Sequence, residues 1–268
     1  MLSAENITVD FGVRRVLDRV DFAARAGEVT AIVGPNGSGK TTLLKAITGE
    51  LKSGGTVWFD GRDIRDMKAA ELATRRAVLP QSGNVAFPFT VLELVRLGLT
   101  NGCATADPAQ LADLPRQALA RVGLAGFEAR FVQELSGGER QRVQLARVLL
   151  QIWEPVLDGA ARWLFLDEPV SALDIGHQLV VMQIARDFAR AGGGVVAVMH
   201  DLNLTSMFAD QVSLLDRGAV KSVGSPREVF TDEHLSACYG CALRTNTPPP
   251  QGGPWLLPQA AMHVAGTL

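Results

Sequence analysis

Apolar and polar side chains alternate along the first thirty residues, as in Ile7-Thr8-Val9-Asp10 and Val20-Asp21-Phe22, with turn signals at Phe11-Gly12 and Ala26-Gly27. A period of two predicts short strands of a small antiparallel sheet. The pattern then changes. Val29-Thr30-Ala31-Ile32-Val33 is a compact β-rich run, a glycine-rich turn follows, and residues 41–48 carry apolar side chains at helical spacing, which together read as strand, loop, helix. Further strands are predicted at 56–59, 76–79, 163–166, 195–199 and 212–215. Several are continuous apolar runs separated by helical segments, the pattern of parallel strands covered on both faces. Between Pro88 and Glu154, residues 90–99, 108–122 and 138–150 are helix-like with no strand between them. The expected fold class is α/β, with a mixed, mainly parallel sheet, an N-terminal antiparallel β-subdomain and an inserted helical subdomain. Residues 1–85 and 156–243 form the expected core, 86–155 the helical insertion, and 244–268 a tail crowded with Pro and Gly that should be irregular.

Composition narrows the class. The 268 residues are 47% hydrophobic and carry 26 basic against 28 acidic side chains, a formal net charge of −2. A chain this long buries enough apolar surface to need no covalent staple, and three cysteines cannot complete a disulfide framework, so the cytosol is the natural compartment. Near-neutral charge argues against a nucleic-acid partner, because phosphate-backbone binders carry a basic excess. No stretch approaches the roughly 18 apolar residues that span a bilayer, and the N-terminus lacks a signal-peptide layout, so any membrane role is expected to come through a partner.

Two motifs carry chemistry. Gly34-Pro35-Asn36-Gly37-Ser38-Gly39-Lys40-Thr41 fits G-x-x-x-x-G-K-[ST], follows a predicted strand and opens a predicted helix. Its glycines let successive N–H groups turn inward, the helix N-terminus adds positive potential, Lys40 reaches the outer phosphates and Thr41 offers a hydroxyl to Mg²⁺. Trp163-Leu164-Phe165-Leu166-Asp167-Glu168 is an apolar strand ending in two carboxylates. Open α/β sheets bind ligands beyond the C-terminal ends of their strands, and strand neighbours point to opposite sides. Asp167 is therefore the candidate Mg²⁺ partner and Glu168 the candidate base for an attacking water. Leu135-Ser136-Gly137-Gly138-Glu139 contains a capping box, S-x-x-E, but capping does not explain paired glycines, which permit close backbone approach to a ligand. Ser171-Ala172-Leu173-Asp174 is a second such box.

In this order the elements resemble the nucleotide-binding subunit of an ATP-binding cassette (ABC) transporter, a P-loop NTPase, over the chain up to about Leu243. The resemblance makes residues 34–41 the Walker A loop, with Thr42 adjoining it as a nucleotide contact, and 164–167 Walker B. It makes 135–139 the signature and 171–174 the D-loop, with Asp174 near nucleotide. Gln81 matches the Q-loop glutamine, implying roles in catalysis and at Mg²⁺; His200 matches the switch histidine, and Phe11 the aromatic that stacks on adenine. It also implies a head-to-tail pair of identical chains in which Ser136, Gly137 and Gly138 of one contact ATP held by the other, so that a lone monomer is a poor ATPase.

An unfused cassette of this size resembles a bacterial importer subunit. The stretches Ala77-Val78-Leu79-Pro80-Gln81, Ala86-Phe87-Pro88-Phe89-Thr90-Val91 and His200-Asp201-Leu202-Asn203-Leu204, residues 163–175, and the insertion at 151–162 are similar to haem (hemin) importer ATPases. That implies two copies of a permease, a periplasmic haem-binding protein, and a peripheral position on the cytoplasmic face of the inner membrane. A ferric siderophore or cobalamin is the alternative cargo on the same engine, and a soluble ATPase acting on nucleic acid or ribosomes the distant one. Cys238-Tyr239-Gly240-Cys241 lacks the histidine of a haem-attachment site, since Ala242 follows. His177, His234 and His263 are expected on the surface. Val170 stands where threonine is frequent and removes no catalytic group.

Overall fold

A computed structural model describes residues 1–81, 87–101, 107–248, 252, 254 and 256–260. The expected boundary at residue 86, Pro249, Pro250, Gly253 and His263 lie outside the described residues. The alternating N-terminal segment forms β1 (Leu2–Phe11) and β2 (Arg14–Ala24), strands of ten and eleven residues rather than short ones. Register shifts interrupt their pairing, and Asn6 and Arg19 adopt positive φ of 54° and 48°, so irregularities rather than chain reversals absorb the breaks in alternation. After β3 (Val29–Val33) and α1 (Lys40–Ile47) come β4 (Gly54–Phe59) and the short β5 (Arg62–Asp63). They complete an antiparallel sheet of order β2-β1-β4-β5.

Next are α2 (Ala69–Arg75), β6 (Arg76–Leu79), α3 (Val91–Arg96), α4 (Pro108–Arg121) and α5 (Gly137–Gln151). The small hairpin β7 (Val156–Leu157) and β8 (Ala160–Ala161) precedes β9 (Trp163–Asp167). Then follow α6 (Ile175–Arg190), β10 (Gly194–Val198), α7 (Leu202–Phe208), β11 (Gln211–Asp216), β12 (Ala219–Gly224), α8 (Pro226–Val229) and α9 (Asp232–Tyr239). The second sheet has the order β12-β11-β3-β10-β9-β6, parallel except where β12 pairs antiparallel with β11.

The central strands serve two cores at once. Val29, Ala31 and Val33, Leu164 and Leu166, and Val195 and Ala197 join the cluster made with α3 to α7. Their strand neighbours Ile32, Trp163, Phe165, Val196 and Val198 face the other way, onto α1 and the antiparallel sheet, where Phe59 meets the Trp163 ring edge-on at 6.2 Å. Burial on both faces explains why these strands read as continuous apolar runs. Each Val, Leu, Ile or Phe among them contributes about 1.5–3 kcal/mol on leaving water.

Parallel register also levels the strand ends. Val198 pairs with Ile32 on one side and Asp167 on the other, and Leu79 pairs with Leu166. The residues immediately beyond β3, β6, β9 and β10 therefore emerge along one edge, as expected for a ligand-binding edge in an open α/β sheet.

Candidate active site

The loop after β3 is shaped by backbone contacts that only glycine permits. Gly34 has φ of 150°, and a Cβ there would lie 1.9 Å from the Leu215 carbonyl oxygen. Gly39, at φ 105°, caps α1 without a side-chain bond, and a Cβ would meet Leu17 Cδ2 at 2.8 Å. The turn at Gly218 braces the loop from outside, with its N–H donating to the Ser38 carbonyl at 2.9 Å. Ser38 is buried, and its hydroxyl has no hydrogen-bond partner among the described residues.

Lys40 is 5% exposed and folds over this loop, donating from Nζ to the Gly34 carbonyl at 2.9 Å and the Pro35 carbonyl at 3.0 Å. Burial lowers its pKa, opposed by the negative charges of Glu168 and Asp167. A buried cation held by carbonyl dipoles at a helix N-terminus can exchange those weak acceptors for phosphate oxygens.

Thr41 Oγ1 donates to Asp167 Oδ1 at 2.9 Å. Asp167 is 2% exposed, and desolvation raises its pKa against the Thr41 hydrogen bond; Glu168 raises it further. A hydroxyl beside a desolvated carboxylate is an all-oxygen donor set suited to a hard divalent cation, whose charge would relieve the cost of burying Asp167.

Glu168 stands between the other two strand ends. Gln81 Nε2 donates to its Oε2 at 2.8 Å, and His200 Nε2 lies 2.6 Å from its Oε1. An ionised carboxylate only accepts, so Nε2 carries the imidazole proton in that state. Sequence reasoning placed Gln81 and His200 by resemblance; the parallel register supplies the physical reason they meet Glu168. Gln141, one turn into α5, was not anticipated: its Nε2 donates to the Glu168 backbone carbonyl at 3.1 Å. No local sequence signal distinguishes that glutamine from a solvated helix residue.

The remaining candidates lie elsewhere. Ser136 caps α5, accepting from the Glu139 N–H at 3.3 Å, while its own N–H donates to Glu139 Oε2 at 2.7 Å. Gly137 is open, with no described residue within 4 Å of an added Cβ, whereas at Gly138 a Cβ would meet the Ala172 carbonyl oxygen at 3.0 Å. Among the described residues no hydrogen bond joins Ser136, Gly137 or Gly138 to residues 34–41. Asp174 caps α6 and its carboxylate contacts His177 Nδ1 at 2.8 Å; hydrogen bonds from the His177 backbone and ring hold its pKa low. Phe11 is 54% exposed at the end of the β1–β2 hairpin, whose Val16 and Leu17 back Gly39. Thr42 follows on α1, half-buried.

His177 and His234, expected on the surface, are half-buried, and each belongs to a helix cap: His177 pairs with Asp174, and the His234 N–H donates to Thr231 Oγ1 at 3.2 Å. Cys238 is half-buried and Cys241 exposed, both as free thiols, and burial pushes the Cys238 thiol pKa up. Val170 is buried in the apolar core, where a hydroxyl would need a partner.

The ABC transporter family profile matches residues 17–171. A relative from Jannaschia sp. (strain CCS1), "Hemin import ATP-binding protein HmuV", is 62% identical over 99% of this chain and 97% of its own length. One of the same name from Mesorhizobium japonicum is 55% identical over 98% and 100%. Among solved structures, a dimeric bacterial ABC transporter cassette superposes with a TM-score of 0.73 at 27% identity, covering 85% of this chain and 99% of its own. Its strand order, its phosphate loop and these matches together make this chain a member of the ABC transporter family, as an ATP-binding cassette.

Proposed function

We propose that this chain is the ATP-hydrolysing subunit of a hemin importer. The observation that carries the ATPase reading is the convergence of Lys40, Thr41, Asp167, Glu168, Gln81 and His200 at one sheet edge. Near-full-length identity to proteins named for hemin import supports the cargo.

In this reading, residues 34–39 wrap the phosphates with backbone N–H groups while Lys40 moves from the loop carbonyls to the outer phosphate oxygens. Thr41 and Asp167 hold Mg²⁺, with Gln81 as a further ligand. The metal, when bound, neutralises phosphate charge. Glu168 orients the attacking water and takes its proton, and His200 and Gln81 hold the carboxylate in place until the water arrives. Phe11 stacks on adenine, using its exposed ring.

The signature completes a second chain's site. Ser136 caps α5 and Gly137 and Gly138 open it, at the electropositive end of the helix, and a relative of this fold is known as a dimer. Asp174 lies in the same surface. Residues 86–155 act as a helical subdomain whose exposed Phe87 and Phe131 face a permease, and residues 1–85 with 156–243 act as the nucleotide-binding core. No helix among the described residues is long and apolar enough to cross a membrane, so a pair of permease subunits supplies the pathway and a periplasmic haem-binding protein delivers the cargo to them. The cassettes then sit on the cytoplasmic face of the inner membrane.

Transport tests this reading. Vesicles containing the chain with its permease should accumulate hemin only with ATP on the cassette side. Equal accumulation without ATP would refute it.

A further inference from the structure

Glu168 is unusual in its backbone as well as its side chain. Its φ is 52°, in the left-handed region, where a residue with a Cβ is strained by about 1–2 kcal/mol. Such a conformation persists only where neighbours hold it. The Glu168 N–H donates to the Val198 carbonyl at 3.2 Å, which fixes one side of the turn. On the other side its carbonyl accepts from Gln141 Nε2 at 3.1 Å, Ser171 Oγ at 3.2 Å and the Ser171 N–H at 3.4 Å.

Gln141 is the only one of these donors that comes from α5. The first turn of that helix packs hard against the D-loop, where a Cβ on Gly138 would stand 3.0 Å from the Ala172 carbonyl oxygen and 3.1 Å from Leu173 Cδ2. Gln141 Oε1 is buried without a hydrogen-bond partner among the described residues, so the amide points its donor at Glu168 while its own acceptor goes unmatched by them. An unmatched buried acceptor is costly, which makes this an orientation maintained for the donor's sake.

We infer that Gln141 is a positioning residue for ATP hydrolysis: its amide holds the left-handed turn at Glu168, and so aims the carboxylate between Gln81 and His200. The inference rests on the reading of Glu168 as the group that handles the attacking water. Gln141 shares a rigid helix with Ser136 and Gly137, so movement of the signature against a second cassette reaches this chain's own Glu168 through one hydrogen bond. Within one chain, the surface that serves the partner's nucleotide is thereby tied to the residue acting on its own.

The test is steady-state ATPase kinetics of the assembled transporter carrying Gln141→Met, which keeps the length and removes the donor. The expected result is a fall in kcat of about tenfold, the rate equivalent of one buried hydrogen bond, with KM and ATP affinity changed less than about twofold. An unchanged kcat for Gln141→Met, or a loss shared equally by ATP affinity and melting temperature, would overturn the inference. Glu168→Gln measured in parallel separates the two claims: if it is inactive while Gln141→Met turns over normally, only the positioning inference fails.

Discussion

His200 Nε2 and Glu168 Oε1 lie 2.6 Å apart although 32 residues separate them in sequence. The contact follows from β9 and β10 running parallel in register, with Val198 beside Asp167, so that the next residues on each strand meet. It places a proton-bearing ring on the carboxylate proposed to handle water. Glu168→Gln should therefore keep ATP affinity while kcat falls by about a hundredfold or more, the usual weight of a general base. Retained turnover in a steady-state ATPase assay would remove Glu168 from that role.

Lys40 makes its bonds to the Gly34 and Pro35 carbonyls within the loop. Lys40→Ala removes a charge-assisted donor to phosphate, and ATP affinity measured by calorimetry should fall about ten- to a hundredfold. The fold should survive, because the lost contacts are to the loop's own carbonyls.

Asp167 is buried and its pKa raised, so its ionised form costs stability in the absence of a cation. A carboxyl with a raised folded-state pKa is relieved as pH falls, and above that pKa the cost is complete. Asp167→Asn should thus raise the melting temperature of the nucleotide-free protein at pH 7 by about 2–4 °C, the shift that about 1 kcal/mol produces in a domain of this size. The gain should shrink as pH is lowered toward the ordinary aspartate range. Mg²⁺-dependent ATPase activity should be lost in the same variant, which differential scanning calorimetry and a coupled assay would check together.

The tail offers a dissection. The Thr245 N–H and Oγ1 both donate to Asp232 Oδ1 at 2.7 Å, holding the Asp232 pKa low. Truncation after Thr247 removes the bond from Gln259 Nε2 to the Asn203 carbonyl at 3.2 Å on α7, and should leave ATPase activity unchanged. Truncation after Leu243 should spare activity but melt lower than truncation after Thr247 near neutral pH, and that difference should vanish as pH falls through the aspartate range, where the Asp232 contribution is lost anyway.

The central strands were legible in the sequence because both their faces are buried: residues 163–166 and 195–198 have no polar side chain to mislead the reading. β12 was not legible, since Lys221 and Ser222 lie on a sheet edge that tolerates polar residues. The β7–β8 hairpin was missed because two-residue strands leave no period to detect. At the site, the phosphate loop and the acidic strand end announced themselves by local chemistry, and the structure adds the Gly34 approach to Leu215 that enforces the first glycine. Gln81 and His200 were placed by the resemblance, and strand register supplies the physical reason they join Glu168. Gln141 could not be read at all, because its significance depends on which carbonyl of a distant strand end it meets.

Coupling of ATP hydrolysis to hemin is tested most directly by the ATPase activity of this chain assembled with its permease in a bilayer, with the periplasmic binding protein supplied empty or loaded with hemin, ferric siderophore or cobalamin. The hemin-loaded protein should stimulate hydrolysis well above the other three. Equal stimulation by all four, or a preference for siderophore or cobalamin, would contradict it.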